Sequence, residues 1–434
     1  MGRAATVVVL AAGQGTRMKT AGPKVLHPLC GRPVLGYVLD QARSLDPAQI
    51  LVVVGHGGEA VRTWIEGAEP DARIRCVPQA EQLGTAHALR QCLPALSERP
   101  GPVVVLYGDM PLLRSESLAA LCQAKERARA AAITATPRRS RGFGRIRREN
   151  GEFRGIVEEK DATPAELAIR EVNVGVYAFA REDLVLLLPR LENRNAQGEY
   201  YLTDLPGRIV AHGGTVATVT LADENEAIGI NDLSDLSEAR AVVQERIHRA
   251  HLAAGVFLED PATTYIDHGV EIGPGTRILP CTVIRAGVKI GAGCEVGPFT
   301  HLRPGTVLED GAELGNFTEA KKAIVGKGTK AKHLTYLGDV RIGANANIGA
   351  GTIVANYDGK RKNQTDIGDR AFIGSGTVLI APCRVGEGAL TGGGAIVTKH
   401  SDIPPGDVWV GIPAKPLRSR KNAASREGGQ APEA

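Results

Sequence analysis

Aromatic side chains are scarce, at 4% of 434 residues, whereas glycine appears 53 times. So few large rings are unusual in an enzyme core of this length, and the glycines crowd the second half, which marks a change of architecture along the chain. An excess of one charge is also missing. The 52 basic residues against 48 acids leave a net charge of +4, with both signs mixed along most of the chain, which argues against a nucleic-acid footprint or a polybasic membrane anchor. Cysteine is sparse and unpatterned: Cys30, Cys76, Cys92, Cys122, Cys281, Cys294 and Cys383 include no CxxC pair. That spacing argues against a disulfide framework and a thiolate metal site, and predicts reduced thiols in a cytoplasm. The N-terminal "MGRAATVVVLAAGQG" holds an apolar run too short to cross a bilayer, and it leads into a glycine turn rather than a cleavage site. The expectation is a soluble, unprocessed cytoplasmic protein with no nucleic-acid or membrane partner.

A chain of this length with 43% hydrophobic residues exceeds one ordinary core and predicts two main domains. Over residues 1–231, β-branched runs at 6–13, 49–56, 74–79, 102–109, 131–137 and 172–179 alternate with amphipathic segments such as "SESLAALCQAKERARA". That pattern predicts parallel strands covered by helices, an α/β sheet of the nucleotide-binding kind. Over 232–255, Leu236, Ala239, Val243, Ile247 and Ala250 fall at helical spacing, with Asp235 and Glu238 as a capping pair. The segment reads as a connecting arm. From 256 to 416 a six-residue beat takes over, through Ile266, Ile272, Ile278, Ile284, Ile290, Val296, Leu302, Leu308 and Leu314, and it returns from Ile342 and again from Ile367. Each repeat predicts a short strand with one aliphatic residue inward and small residues at the corner, three repeats closing one triangular coil of a β-helix. A stacked aliphatic column needs few rings, which accounts for their scarcity. The beat falters at 320–341 and 355–366, read here as insertions carried outside the coil as loops. Both are rich in Lys, His, Tyr, Asn and Asp, which favours a site. Residues 417–434 have no apolar pattern and are expected to be disordered.

Two further features carry chemistry. "LAAGQGTRM" (10–18) follows a strand, so its backbone N–H groups can approach a phosphate, and Arg17 and Lys24 add two cations near the turn. It is neither a Walker loop nor GxGxxG. Asp109 ends the hydrophobic run "PVVVLYGD" at the strand edge where open α/β sheets bind ligands. Mg²⁺ takes one or two protein oxygens plus phosphate oxygens, so Asp109 is a candidate ligand.

In order along the chain, "LAAGQGTRM", "PKVLH", "QAEQLGTAHA", "LYGDMPLL", "FGRI", "IVEEKDAT" and "EVNVGVYAF" resemble the motifs of sugar-nucleotide pyrophosphorylases. With the hexapeptide domain behind them, the chain to about residue 416 resembles the bifunctional N-acetylglucosamine-1-phosphate uridylyltransferase/glucosamine-1-phosphate N-acetyltransferase family. The resemblance implies a Rossmann-like nucleotidyltransferase domain followed by a left-handed parallel β-helix. It implies that Leu10, Ala11, Ala12, Gly13, Gln79, Gly84 and Thr85 hold the uridine nucleotide, with Gln79 on the uracil edge. Tyr107, Gly108, Gly144, Glu158 and Asn173 would line the sugar pocket. Asn231 would join Asp109 on Mg²⁺, and Arg17 and Lys24 would offset charge as a sugar-phosphate oxygen attacks the α-phosphorus and pyrophosphate leaves.

In the second domain the resemblance implies acetyl transfer from acetyl-CoA to glucosamine 1-phosphate, with His333 in "KHLTYLGD" as the general base that the amine requires. Arg303, Lys321 and Lys362 would bind the sugar phosphate, and Tyr336 and Asn347 the hexosamine. Asn356, Tyr357, Ala350, Ser375 and Gly393 would lie along the coenzyme A path. Thiol is a good leaving group, so no acyl-enzyme is implied and Cys383 reads as an ordinary coil residue. Position 393 departs from the family in carrying Gly where many relatives carry Ala, and the end "WVGIPAKP" resembles general hexapeptide acyltransferases. The resemblance further implies UTP and N-acetylglucosamine 1-phosphate as substrates of the first domain, and a homotrimer. The alternative, a single-activity nucleotidyltransferase on a structural trimerising β-helix, leaves the residues gathered off the beat without a role.

Overall fold

The computed structural model describes residues 5–417 apart from 14, 21, 139 and 141; the expected disordered tail lies outside the described residues beyond Leu417. The chain divides into two compact units, one ending at Val243 and the other starting at Gln244. Among the described residues no helix is long and apolar enough to cross a membrane.

The first unit is built on a nine-stranded sheet. Its main path runs Val216–Thr220, Ala130–Ala135, Val172–Phe179, Val103–Tyr107, Thr6–Ala11, Gln49–Val54, Ile74–Pro78. Thr6–Ala11 and Val103–Tyr107 are buried almost throughout and lie side by side in parallel, so their carboxyl ends open at one edge, the position that serves ligands in such sheets. The expectation of parallel strands throughout needs one correction. Val172–Phe179 runs antiparallel to both neighbours. All eight of its residues are buried, so it has the continuous apolar character of a central parallel strand, and nothing in the run itself reports its direction.

Leu233–Ala253 is the helix expected over 232–255. Its cap differs from the expected Asp235/Glu238 pair. Asp232 Oδ1 accepts from the N–H of Asp235 at 3.1 Å, and Asp235 Oδ2 accepts from the N–H of Asp232 at 3.2 Å. The reciprocal pairing is that of a capping box, moved one turn earlier.

The second unit is the expected left-handed parallel β-helix. Ile266 pairs with Ile284 and Ile284 with Leu302, eighteen residues per coil, and these side chains are fully buried in one column. Each such burial contributes roughly 1.5–3 kcal/mol. Buried threonines two positions before the aliphatic residue close the corners: Thr300 Oγ1 donates to Gly315 O at 2.6 Å and Thr329 Oγ1 to Gly343 O at 2.6 Å. They satisfy carbonyls that a purely apolar corner would orphan.

The first interruption of the beat is not an insertion. Leu302 pairs with Ala320, eighteen on, but Leu308 pairs with Val325 and Ala320 with Leu337, each seventeen on. The coil drops one residue per turn, and strands Glu319–Val325, Lys330–His333 and Tyr336–Ile342 stay within it. The expectation of a loop outside the coil over 320–341 is therefore corrected. The inward positions there include Ala320 and Ala331, and these small residues hid the continuing rhythm. The second interruption does leave the coil: Ile342 pairs with Ile367, twenty-five on, and the extra residues form a turn closed by Asn363 N–H to Asn356 O at 2.7 Å and a Tyr357–Lys362 bridge.

Candidate active sites

At the carboxyl edge of the first sheet lies a cavity of about 420 Å³. It brings together Leu10, Ala11, Ala12, Gly13, Gln79, Gly84 and Thr85, expected at the nucleotide, with Lys24, expected to offset phosphate charge, Tyr107, expected in the sugar pocket, and Asp109, expected on the metal. Gln82 and Glu199 also line it and were missed, since lone polar side chains in loops carry no pattern. Gly84 has φ +110°, and a side chain there would meet Tyr200 O at 2.6 Å, so glycine is required for the close approach of the loop at Tyr200.

One end of the cavity is charged. Lys24 Nζ is ion-paired with Asp109 Oδ2, and Arg17 Nη2 donates to Asn231 Oδ1 at 3.0 Å. The backbone brings the two oxygen donors to one place, because Ile230 N–H donates to Asp109 O at 2.9 Å. Each cation thus sits on one of the two expected metal ligands.

Tyr107 connects the cavity with a second group. Its ring lies against Gly175, and burial pushes its pKa up, with Thr85 acting in the opposite direction. Gly144 O accepts from Asn173 N–H at 2.9 Å, and Glu158 stands close to Gly144. Burial raises the pKa of the Glu158 carboxyl, against the opposing bond that Thr203 Oγ1 donates to Oε1 at 2.8 Å. Asn173 is buried, and its Oδ1 already accepts from Tyr177 Oη at 2.9 Å and Gly175 N–H at 3.2 Å. Its amide hydrogens are the part left for a ligand. Gly108 packs against Ala11, where a Cβ would lie 3.0 Å from the Ala11 side chain.

In the second unit the coil register stacks one position of successive turns. Asn316 pairs with His333, and the bonds Gly351 N–H to His333 O, Gly376 N–H to Ala350 O and Gly394 N–H to Ser375 O continue the column upward. His333, Ala350, Ser375 and Gly393 therefore line one corner, with Asn316 beneath. Asn316 Oδ1 lies 3.1 Å from His333 Nδ1; with that oxygen as acceptor, the proton is on Nδ1 and Nε2 keeps its lone pair. Asn316 was not singled out from the sequence, although it stands in the same off-beat stretch. At Gly393 an added Cβ would meet only Ser375 O, at 3.5 Å, so the departure from Ala creates no steric demand.

A second group is cationic. Lys321 lies beside Lys362, and that neighbouring ammonium, foremost, holds the Lys321 pKa down, with Arg303 adding to the effect. Arg303 Nη1 also donates to Glu319 Oε1 at 2.7 Å. Convergent cations of this kind suit a phosphate dianion. The Tyr336 ring lies over Gly338, where a Cβ would stand 2.6 Å from its hydroxyl, and Asn356 is buried and bonded to Asp339. Asn347 sits on the strand that pairs with Lys330 and Phe372. Tyr357 is the least engaged of the expected residues. Its ring is exposed and its hydroxyl donates to Gly359 O of its own turn at 2.7 Å.

A family model described as a MobA-like NTP transferase domain matches residues 7–204. The chain is 42% identical to the bifunctional protein GlmU of Pelobacter propionicus, with 97% of each chain covered. It is 44% identical to the bifunctional protein GlmU of Heliobacterium modesticaldum, over 93% of this chain and 95% of that one, and 44% identical to that of Stutzerimonas stutzeri, over 92% and 94%.

Proposed function

The chain belongs to the family of bifunctional GlmU proteins, and on that premise we infer a two-site enzyme. It acetylates glucosamine 1-phosphate with acetyl-CoA and transfers UMP from UTP to N-acetylglucosamine 1-phosphate, yielding UDP-N-acetylglucosamine and pyrophosphate. The observation that carries this reading is that each unit has its own chemical groups: the Asp109/Asn231 oxygens under two cations in one, the His333 column and the Lys321–Lys362 pair in the other.

For uridylyl transfer we assign Gln79 and the glycine turn to the nucleotide, Glu158 and the Asn173 amide to the sugar, and Arg17 and Lys24 to the phosphates. Asp109 and Asn231 fit Mg²⁺: both offer hard oxygen donors, and among the described residues no cluster of three His, Cys, Asp or Glu exists to form an all-protein cage, so phosphate oxygens and water would complete the shell. When bound, the ion supplies charge stabilisation for the departing pyrophosphate. With Asp109 and Asn231 engaged as ligands, Lys24 and Arg17 would be released from them and would be free to bind phosphate oxygens. Positioning and electrostatics then suffice, with no protein nucleophile.

For acetyl transfer we assign Nε2 of His333 as the base that removes a proton from the amine as it attacks the thioester carbonyl, coenzyme A leaving as the thiol. Arg303, Lys321 and Lys362 bind the phosphate, Tyr336 and Asn347 the sugar, and the Ala350–Ser375–Gly393 corner, with Asn356 and Tyr357, the coenzyme. Purified protein given Mg²⁺, UTP, acetyl-CoA and glucosamine 1-phosphate should release thiol first and pyrophosphate after it. Absence of thiol would leave only the single-activity alternative. Pyrophosphate formed equally well without acetyl-CoA would overturn the order of the steps.

We further propose a cytoplasmic homotrimer. His333 and Leu334 are exposed in the single chain, as is the stacked Phe299–Phe317 pair, ring centroids 5.1 Å apart, a surface that suits cover by neighbouring coils. Sedimentation velocity should give a single species of three chains, and an active monomer would contradict it.

A further inference from the structure

Gln79 is only 4% exposed, and its amide nitrogen has two partners within the protein. Nε2 donates to Gly84 O at 3.4 Å and lies 3.0 Å from Nδ1 of His87. A backbone carbonyl can only accept, so the end of the amide that faces Gly84 is the NH₂ group. His87 Nδ1 meets that same end and must therefore be the unprotonated ring nitrogen. Both amide hydrogens are then taken up, and among the described residues nothing bonds Oε1. On the other side of the imidazole, Gln91 Nε2 lies 3.2 Å from His87 Nε2. Gln91 is part-exposed and can turn its own oxygen to accept from Nε2–H. Gln91 Nε2 also donates to His87 O at 3.1 Å, but water can replace that bond at a part-exposed residue, whereas Gln79 is buried, so Gln91 is the partner that yields. The ring of Tyr200 stands 6.3 Å from that of His87, and the Arg90 guanidinium lies 4.2 Å over the Tyr200 ring, so one side of the imidazole is covered.

We propose that His87 is a positioning residue for nucleobase choice: its Nδ1 lone pair locks the Gln79 amide with the oxygen toward the base. This rests on the reading of Gln79 as the residue that meets the base edge. A base with a ring N–H on its pairing edge, as uracil has at N3, donates to that oxygen. Cytosine carries a lone pair at N3 and would set acceptor against acceptor, leaving a buried group unpaired. If the Nδ1 lone pair is removed, only the longer 3.4 Å bond to Gly84 O still holds the NH₂ end inward, so the amide turns half a revolution more readily and presents NH₂, which suits cytosine.

The test is pyrophosphate release by the full chain with UTP and with CTP. His87→Phe should lower the UTP-over-CTP ratio of kcat/KM by about 10- to 100-fold, the scale of one mispaired buried hydrogen bond. The change should appear mainly in KM for the nucleotide, with KM for N-acetylglucosamine 1-phosphate unchanged. His87→Asn, which can offer an oxygen near the position of Nδ1, should restore most of the ratio, as a merely structural role for the ring would not predict. An unchanged ratio in folded His87→Phe overturns the proposal. So does a nitrogen NMR spectrum of the unmodified protein with Nδ1 of His87 protonated, a measurement that needs no variant. Gln79→Ala separates the premise from the inference: if that variant keeps the parent ratio, Gln79 does not read the base and the assignment fails at that earlier step.

Discussion

His333→Ala is expected to lower acetyl transfer by about 10²- to 10⁴-fold, the usual contribution of a positioned general base, while pyrophosphate release from UTP and N-acetylglucosamine 1-phosphate stays at the parent level. The argument begins with the substrate. An amine is protonated in neutral water and must lose a proton to attack a thioester, so a base with a free lone pair is needed beside it. With Asn316 Oδ1 accepting from Nδ1–H, His333 keeps that lone pair on Nε2. Removing the ring leaves the Ala350–Ser375–Gly393 corner and the Lys321–Lys362 pair in position, so KM values for acetyl-CoA and glucosamine 1-phosphate should change little while kcat falls. Asn316→Ala should show a smaller loss, because the ring remains but is no longer held in one tautomer. A covalent route through cysteine is disfavoured on the same coil. Burial pushes the Cys383 thiol up to about 11, which leaves very little thiolate at neutral pH. Thiol release by folded His333→Ala at the parent rate would sink the assignment of the base.

The parts of this site that could be read from the sequence and the parts that could not differ for a physical reason. Ile266 to Leu314 announce the coil because each inward position needs bulk and the step is a constant six. From Ala320 onward the step shortens to five at Ala320–Val325 and Leu337–Ile342, with alanine at two inward positions, and a period search loses phase although the coil continues. The His333 column depends on that shortened register: Asn316 and His333 are seventeen apart and Ala350 and Ser375 twenty-five, spacings that no single period contains. In the first unit, motifs confined to one loop, such as Leu10–Gly13 or Tyr107–Asp109, were legible. Partnerships between distant segments were not. Thr203 on Glu158 and Arg17 on Asn231 exist only once the sheet has ordered its strands, and the direction of Val172–Phe179, which brings Asn173 onto Gly144, is invisible in an all-buried run.

Asp109→Ala should have the converse effect of His333→Ala, a loss of uridylyl transfer of about a hundredfold or more with acetyl transfer intact. Two consequences act together. The substitution removes the one carboxylate among the proposed metal ligands, leaving the neutral Asn231 oxygen, and it strips Lys24 of its partner. A freed Lys24 can still reach phosphate, so nucleotide binding should survive better than turnover, and the loss should fall on kcat and on the apparent Mg²⁺ requirement more than on KM for UTP. Asp109→Asn separates the two contributions, since it keeps an oxygen donor of nearly the same shape but drops the charge. Its activity should recover in part as Mg²⁺ is raised, whereas that of Asp109→Ala should not. Parent-level pyrophosphate release in Asp109→Ala would remove Asp109 from the metal site. Loss of acetyl transfer as well, in a variant with an unchanged unfolding temperature, would mean that the two reactions share a centre and that assigning one to each unit is wrong.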